Sequence, residues 1–245
     1  MTAIGILGSA GKMGQAIAAT VPDLGGTVAG GIDASGDRAA LAALAERADV
    51  LVDFSTPSAL AANLAAARAA GTPILIGTTG LTAAHRALVT EAAGDIAVLQ
   101  TGNVSLGVTL LAKLVREAAE RLGHDWDIEI VEMHHRHKVD APSGTAHLLA
   151  EAAAAGRGIA LSEAQVSDRA GLTGARSEGT IGMASLRGGS VAGDHMVVFA
   201  GEGERIEIGH RAENRAIFAR GAVTAALWLA GRTAGSYTMA EVLGV

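Results

Sequence analysis

The chain has 245 residues, enough for one large domain or two modest ones that each bury a core. Charged residues at 18% beside hydrophobic residues at 49% exclude a disordered polypeptide, and a net charge of −6 argues against a nucleic-acid binder or a polybasic membrane binder. The lack of cysteine excludes a disulfide framework and a thiolate metal site, and no apolar run reaches the ~18 residues a membrane helix needs. The opening MTAIGILGSAGKMG has no basic lead, so a soluble cytoplasmic protein is expected.

The first hundred residues alternate short apolar runs with Ala/Leu-rich runs. Strands are predicted at 3–8, 27–33, 50–55, 72–80 and 95–103, and helices at 12–20 and 58–70 among others. The strand runs are apolar throughout, as in parallel strands buried on both faces. This predicts an α/β fold with a Rossmann-type doubly wound parallel sheet. Beyond residue 103 the pattern changes to a long helix at 106–122 and strands at 125–135, 180–187, 194–201 and 204–212. The GEG at 201–203 predicts an antiparallel hairpin, and 218–229 a last apolar helix. The Gly-, Ser- and Arg-rich stretch 156–179 reads as a long loop. The expected organisation is a dinucleotide-binding domain over 1–105 and 215–245, and a substrate-binding and oligomerisation domain over 106–214. The second domain is expected to be α+β with an open mixed sheet.

GILGSAGKMG follows a strand and opens a helix, with Gly8, Gly11 and Gly14 spaced G-x-x-G-x-x-G. Gly8 suits the tight turn, Gly11 the close approach of a pyrophosphate, and Gly14 the packing of helix on strand. The anion would rest on free N–H groups at the helix start. Asp33, at the end of the second strand, stands where a carboxylate would accept from the ribose hydroxyls. Asp33 followed by Ala34 favours NADH over NADPH, although Lys12 and Arg38 lie near and NADPH use stays open. FSTP (54–57), GTTG (77–80) and TGNV (101–104) fall at further strand ends, where a cofactor cleft is expected.

EIVEMHHRHKVDAPSGTA, residues 129–146, concentrates titratable groups. His134, His135 and His137 suggest a metal site, with His135 and His137 on one strand face and a third ligand from His147, His195 or His210. Arg136 and Lys138 among them would repel a dication, so no metal is expected. A polar loop with satisfied histidines is a second reading. The third is acid–base chemistry on an anionic substrate. Histidine titrates near neutrality, and Lys138 supplies positive charge. Ser143 is placed to cap a helix whose first residues, Gly144 and Thr145, present free N–H groups.

The stretch E-x-x-E-x-H-H-x-x-K-x-D-A-P-S-G-T-A resembles the signature of the 4-hydroxy-tetrahydrodipicolinate reductase (dihydrodipicolinate reductase) family. The resemblance extends to GxxGxMG at 8–14, VDFSTP at 52–57, GTTG at 77–80, GNVSLGV at 102–108, EGTIGMASLRGGSVAGDH at 178–195 and GERIEIGHRAENRAIFARGAV at 203–223. It implies reduction of a heterocyclic dicarboxylate in the diaminopimelate route to lysine, using NADH or NADPH. It implies His134 as general acid/base, and Lys138 as a second proton donor or charge stabiliser. Substrate carboxylates would be held by His135 and by the backbone of Gly144 and Thr145. The cofactor would be lined by Gly8, Ser9, Ala10, Gly11, Lys12 and Met13, by Asp33, by Gly77, Thr78 and Thr79, and by Thr101, Gly102, Asn103 and Val104. A homotetramer joined through the second domain's sheet is also implied. Ala34 stands where many members carry Arg, and Val104 where an aromatic is frequent.

Overall fold

The computed structural model describes residues 1–33, 37–167 and 169–245. The chain begins β1 (Ala3–Leu7), α1 (Lys12–Thr20), β2 (Thr27–Ile32), α2 (Arg38–Arg47), β3 (Val50–Asp53), α3 (Leu60–Ala70), β4 (Ile74–Ile76), α4 (Ala83–Ala92) and β5 (Ala97–Gln100). It continues with α5 (Leu106–Leu122), β6 (Asp127–His134), α6 (Gly144–Arg157), α7 (Leu161–Ala164), β7 (Gln165–Val166), β8 (Ile181–Arg187), β9 (Asp194–Gly201) and β10 (Glu204–Arg211). It ends with α8 (Ala216–Leu229), β11 (Gly235–Tyr237) and α9 (Met239–Leu243). Two compact units result: Met1–Leu106 with Ala216–Val245, and Gly107–Arg215.

The first unit holds a parallel sheet in the order β11-β5-β4-β3-β1-β2. Its strands carry apolar side chains on both faces because both faces are covered. Ile4, Ile6, Val50, Val52, Leu75 and Leu99 meet Ile17 of α1 and Ala222, Val223 and Ala226 of α8. Leu7, Leu51, Ile74, Ile76 and Val98 point the other way, toward Leu44 of α2, Leu60 and Leu64 of α3, and Val89 of α4. Each such buried Leu, Ile or Val contributes about 1.5–3 kcal/mol, so aliphatic side chains supply most of this core. The strand order reverses at β1, which is where ligands settle in such sheets. Register aligns the strand ends: Leu7 pairs with Ile32 and Asp53, Asp53 with Ile76, and Ile76 with Gln100. Gly8, Asp33, Phe54, Gly77 and Thr101 therefore leave the sheet along one edge. β11 is a strand too short and too polar for periodicity to reveal; it is held by parallel pairing with β5.

The second unit holds a mixed sheet in the order β10-β9-β6-β8-β7, in which β9 and β10 form the hairpin predicted from GEG. One face packs against Leu111 and Val115 of α5 and Leu149, Ala150 and Ala153 of α6. Inward positions of β6 alternate as Ile128, Ile130, Glu132 and His134, all buried. Register places Ile181 and Phe199 beside Ile128, and Met183 and Val197 beside Ile130. The next row is polar: Ser185, Glu132, His195 and His210 follow one another across four strands. Arg187 then stands beside His134. The apolar layer thus ends in a polar margin on the same face. The stretch 156–179 is not one continuous loop, as its composition had suggested. It carries the end of α6, then α7 and β7, and Arg176 ties it to β6 through Asp127, Glu129 and the Ile128 carbonyl.

Candidate functional site

The glycine-rich turn of the first unit is built by contact. Gly8 adopts φ +84°, and a Cβ there would lie 2.6 Å from the Phe54 carbonyl oxygen, so only glycine fits. A Cβ on Gly14 would overlap the Gly8 carbonyl oxygen, which lets α1 start directly against the turn. Gly11 is the N-cap of α1 and offers no side chain of its own. Asp33 sits at the mouth of this turn. Its Oδ2 accepts from the Ser9 hydroxyl at 2.7 Å, and both its oxygens accept from the Ala10 N–H at 3.0 Å. A cavity of about 280 Å³ is lined by Gly8, Gly11, Asp33, Phe54, Ser55 and Asn63 among others. Lys12 is exposed beside it, and Met13 turns inward against the core.

A fully buried carboxylate supports the neighbouring strand ends. Asp53 Oδ1 accepts from Ser55 N at 2.9 Å, Ser55 Oγ at 2.6 Å and Thr78 Oγ1 at 3.1 Å, while Oδ2 accepts from Asn63 Nδ2 at 3.0 Å. Thr78 is therefore held from below, whereas Thr79 beside it is exposed and Gly77 half-buried. Further along, Thr101 Oγ1 donates to the Asn103 carbonyl and accepts from Asn103 N–H, and Asn103 Oδ1 accepts from Ser105 N–H. Gly102 is open, while Val104 is buried in the core with its carbonyl against Gly221. These features fit a dinucleotide: a tight glycine turn, a helix start, and a carboxylate held at the mouth of the turn. Ala34 lies outside the described residues.

In the second unit, β6 delivers His134 to the polar margin, 9% exposed. Its Nδ1 lies 2.6 Å from Glu132 Oε2. Glu132 is 1% exposed; Arg187 grips it with Nη1 on Oε2 and Nη2 on Oε1, both at 2.8 Å. Burial would raise the Glu132 carboxyl, but hydrogen bonds from Arg187, His134 and Ser185 outweigh it and hold it at about 2. His195 stands edge-on to His134, ring centroids 5.2 Å apart. Burial, then repulsion from His134, pushes His195 down to about 4, so it is neutral at pH 7. A Cβ at Gly193 would sit 3.0 Å from His134 Nε2, so this glycine keeps that edge clear.

α6 begins beside this centre. Ser143 Oγ accepts from Ala146 N–H at 3.1 Å and pairs with His195 Nε2 at 2.9 Å; Ser143 N–H reaches Glu132 Oε1 at 3.3 Å. The cap orients the N-terminal peptides of Gly144 and Thr145. Lys138 is clamped by both oxygens of Asp140, at 2.9 and 2.8 Å, which holds the Asp140 carboxyl below its usual range. β6 ends at His134, so His135 and His137 lie in the turn that follows and do not share a strand face; their rings are 6.3 Å apart. His135 Nε2 lies 3.4 Å from Arg215 Nη2, and burial followed by the Arg215 charge lowers its proton affinity. Among the described residues, no group of three or more His, Asp or Glu is arranged around a metal position.

Residues 2–104 match the N-terminal domain of dihydrodipicolinate reductase, and residues 107–243 match its C-terminal domain. The chain belongs to the dihydrodipicolinate reductase family. It is 57% identical to the 4-hydroxy-tetrahydrodipicolinate reductase of Zymomonas mobilis, over 99% of this chain and 97% of that one. It is 49% identical to the corresponding reductase of Parvibaculum lavamentivorans, over 98% and 97%. Among solved structures, the dipicolinate-bound dihydrodipicolinate reductase of Paenisporosarcina sp. TG-14 aligns with a TM-score of 0.80 and 26% identity, covering 98% of each chain.

Within this family member, the sequence pointed to His134 and Lys138 but not to their partners. Glu132 had a legible signal, because it precedes His134 by two on a strand and must share its face. Arg187, Ser185 and His195 had none, since register across three strands brings them there. Asp53 and Asn63 were likewise silent: ten residues apart, they meet only because α3 folds back onto β3.

Proposed function

We infer that the chain reduces 4-hydroxy-tetrahydrodipicolinate to tetrahydrodipicolinate with NAD(P)H and loss of water, in the diaminopimelate route to lysine. The observation that carries this is the 57% identity to a curated 4-hydroxy-tetrahydrodipicolinate reductase along 99% of the chain. The glycine turn, Asp33 and the loops at 77–79 and 101–104 are the residues that would hold the dinucleotide. Bound, the nicotinamide supplies the hydride. Water leaves first, as the C4 hydroxyl and a proton from the ring carbon between C4 and the imine; hydride at C4 of the resulting conjugated imine then places negative charge on that carbon and the ring nitrogen. His134 donates the proton, and Lys138 offsets the charge once substrate displaces Asp140. The peptides of Gly144 and Thr145 take one carboxylate at the start of α6, and His135 donates to it from a neutral ring. Dipicolinate, the ligand named for the Paenisporosarcina reductase, is a planar dicarboxylate of this size.

NADH is the favoured cofactor in this reading. The Asp33 carboxylate, held at the turn by Ser9 and Ala10, would repel a 2′-phosphate. A homotetramer through the second sheet is also proposed. Its face away from the helices presents Val131, Met133, Leu186 and Met196, with Leu186 51% exposed. No helix among the described residues is long and apolar enough to cross a membrane, which agrees with the proposed cytoplasmic location.

The test is a coupled assay with the aldol product of pyruvate and aspartate semialdehyde, following NADH and NADPH oxidation in parallel. Turnover with NADH exceeding that with NADPH is expected. Oxidation of neither would overturn the reading. His134→Gln is expected to lose far more kcat than KM, and a kcat near wild type would remove His134 from the chemistry.

A further inference from the structure

We propose that Glu132 is the positioning residue of the acid–base centre: it holds His134 as the Nδ1–H tautomer, leaving Nε2 to give and take the proton, and anchors the start of the substrate helix with its other oxygen. The proposal rests on the reading of His134 as the acid/base.

The geometry leaves one arrangement. Arg187 donates to both Glu132 oxygens, so the carboxylate is ionised and can only accept. His134 Nδ1, 2.6 Å from Oε2, must then carry the hydrogen. In the neutral ring Nε2 is left bare, on the edge that Gly193 keeps clear. Free imidazole has no such constraint, so the tautomer is imposed from outside. Oε1 meanwhile accepts from the Ser143 N–H, at the N-cap of α6. Arg187 also donates to the Asp140 carbonyl, which ties the segment bearing Lys138 to the same carboxylate. Proton donor, carboxylate-binding helix start and lysine loop therefore share one buried anchor.

The groups facing His134 are few. Glu132 shares its strand. From β8 comes Arg187 and from β9 the neutral His195, edge-on at 5.2 Å. The turn after β6 brings His135, Lys138 and Asp140. Only Glu132 contacts Nδ1 among the described residues. Glutamine cannot replace it. Each oxygen already accepts from Arg187, so an amide NH2 in either place would face an Arg187 N–H.

The decisive experiment is ¹⁵N NMR of ring-labelled histidines in the wild-type protein above the imidazole titration, with His134→Gln to assign the signals. A protonated Nδ1 and a bare Nε2 are expected, and a protonated Nε2 overturns the proposal. In Glu132→Gln, kcat should fall on the order of 100-fold while the dissociation constant for NADH is unchanged. A kcat within about threefold of wild type also overturns the proposal. If that variant does not fold, Glu132→Asp keeps the charge but withdraws the carboxylate from His134 Nδ1, and the Nδ1–H signature should weaken with kcat; retention of both refutes the anchor. Wild-type turnover separates the cases. Its absence defeats the functional reading, whereas normal turnover with an indifferent Glu132→Gln defeats this proposal alone.

Discussion

His195 makes the second unit sensitive to acid in a calculable way. The ring is 5% exposed and neutral, and burial followed by repulsion from His134 lowers its proton affinity to about 4 from an ordinary 6.5. Between those values the unfolded chain binds a proton that the folded chain refuses. Stability is therefore complete above pH 6.5 and falls as pH drops toward 4. At about 1.4 kcal/mol per pH unit the interval amounts to about 3 kcal/mol. His135 and His210 are shifted in the same direction and add to the slope, so the contribution of His195 must be read as a difference. Glu132 enters later, because a carboxylate held at about 2 destabilises only below its unfolded value of 4.5. Gln at position 195 keeps a nitrogen near Ser143 Oγ and cannot titrate. Urea unfolding of wild type and His195→Gln, at fixed protein concentration from pH 7.5 to 4, tests the reasoning. The wild type should lose about 3 kcal/mol more than the variant over that range. Parallel curves would show that the buried ring takes up its proton without cost, and that the desolvation argument is wrong.

Three further outcomes follow from the packing. Gly14→Ala places a Cβ on the Gly8 carbonyl oxygen, so NADH affinity should fall at least about tenfold by fluorescence titration; an unchanged affinity would mean that α1 can shift freely. Asp53→Asn turns an acceptor toward Asn63 or Ser55 into a donor. It should destabilise the first unit by about 1–3 kcal/mol in urea and weaken NADH binding, and wild-type stability would refute the role of the buried carboxylate. Ser143→Ala removes the cap on α6, at a cost of about 1 kcal/mol, and should raise the substrate KM more than it lowers kcat. An unchanged KM would separate the helix start from carboxylate binding.

Much of this architecture was already present in local pattern. Continuous apolar runs fixed parallel strands buried on both faces, and the spacing of Gly8, Gly11 and Gly14 fixed a turn whose steric demands are met atom by atom. Ser143 announced a helix start because capping depends on neighbours three residues away. These are short-range effects, and short-range effects are written along the chain. The stretch 156–179 and β11 escaped because two- to four-residue elements owe their existence to a partner strand or an anchoring arginine, not to periodicity.

The sequence by itself determined the two kinds of surface the protein offers: a glycine cradle with an acidic neighbour, and a histidine–lysine segment leading into a capped helix. Only the tertiary structure decided the protonation logic of that segment. His134, His135, His137 and Lys138 look alike as a cluster of potential cations. Register across β6, β8 and β9 brings Arg187 and His195 to the Glu132–His134 pair, and burial keeps His195 neutral. The turn after β6 places His135 beside Arg215, and Lys138 falls to Asp140. Glu132 and Asp140 lie within the motif, but solvent exclusion and the distant Arg187, His195 and Arg215 complete each charge state, and none of these is encoded within its reach.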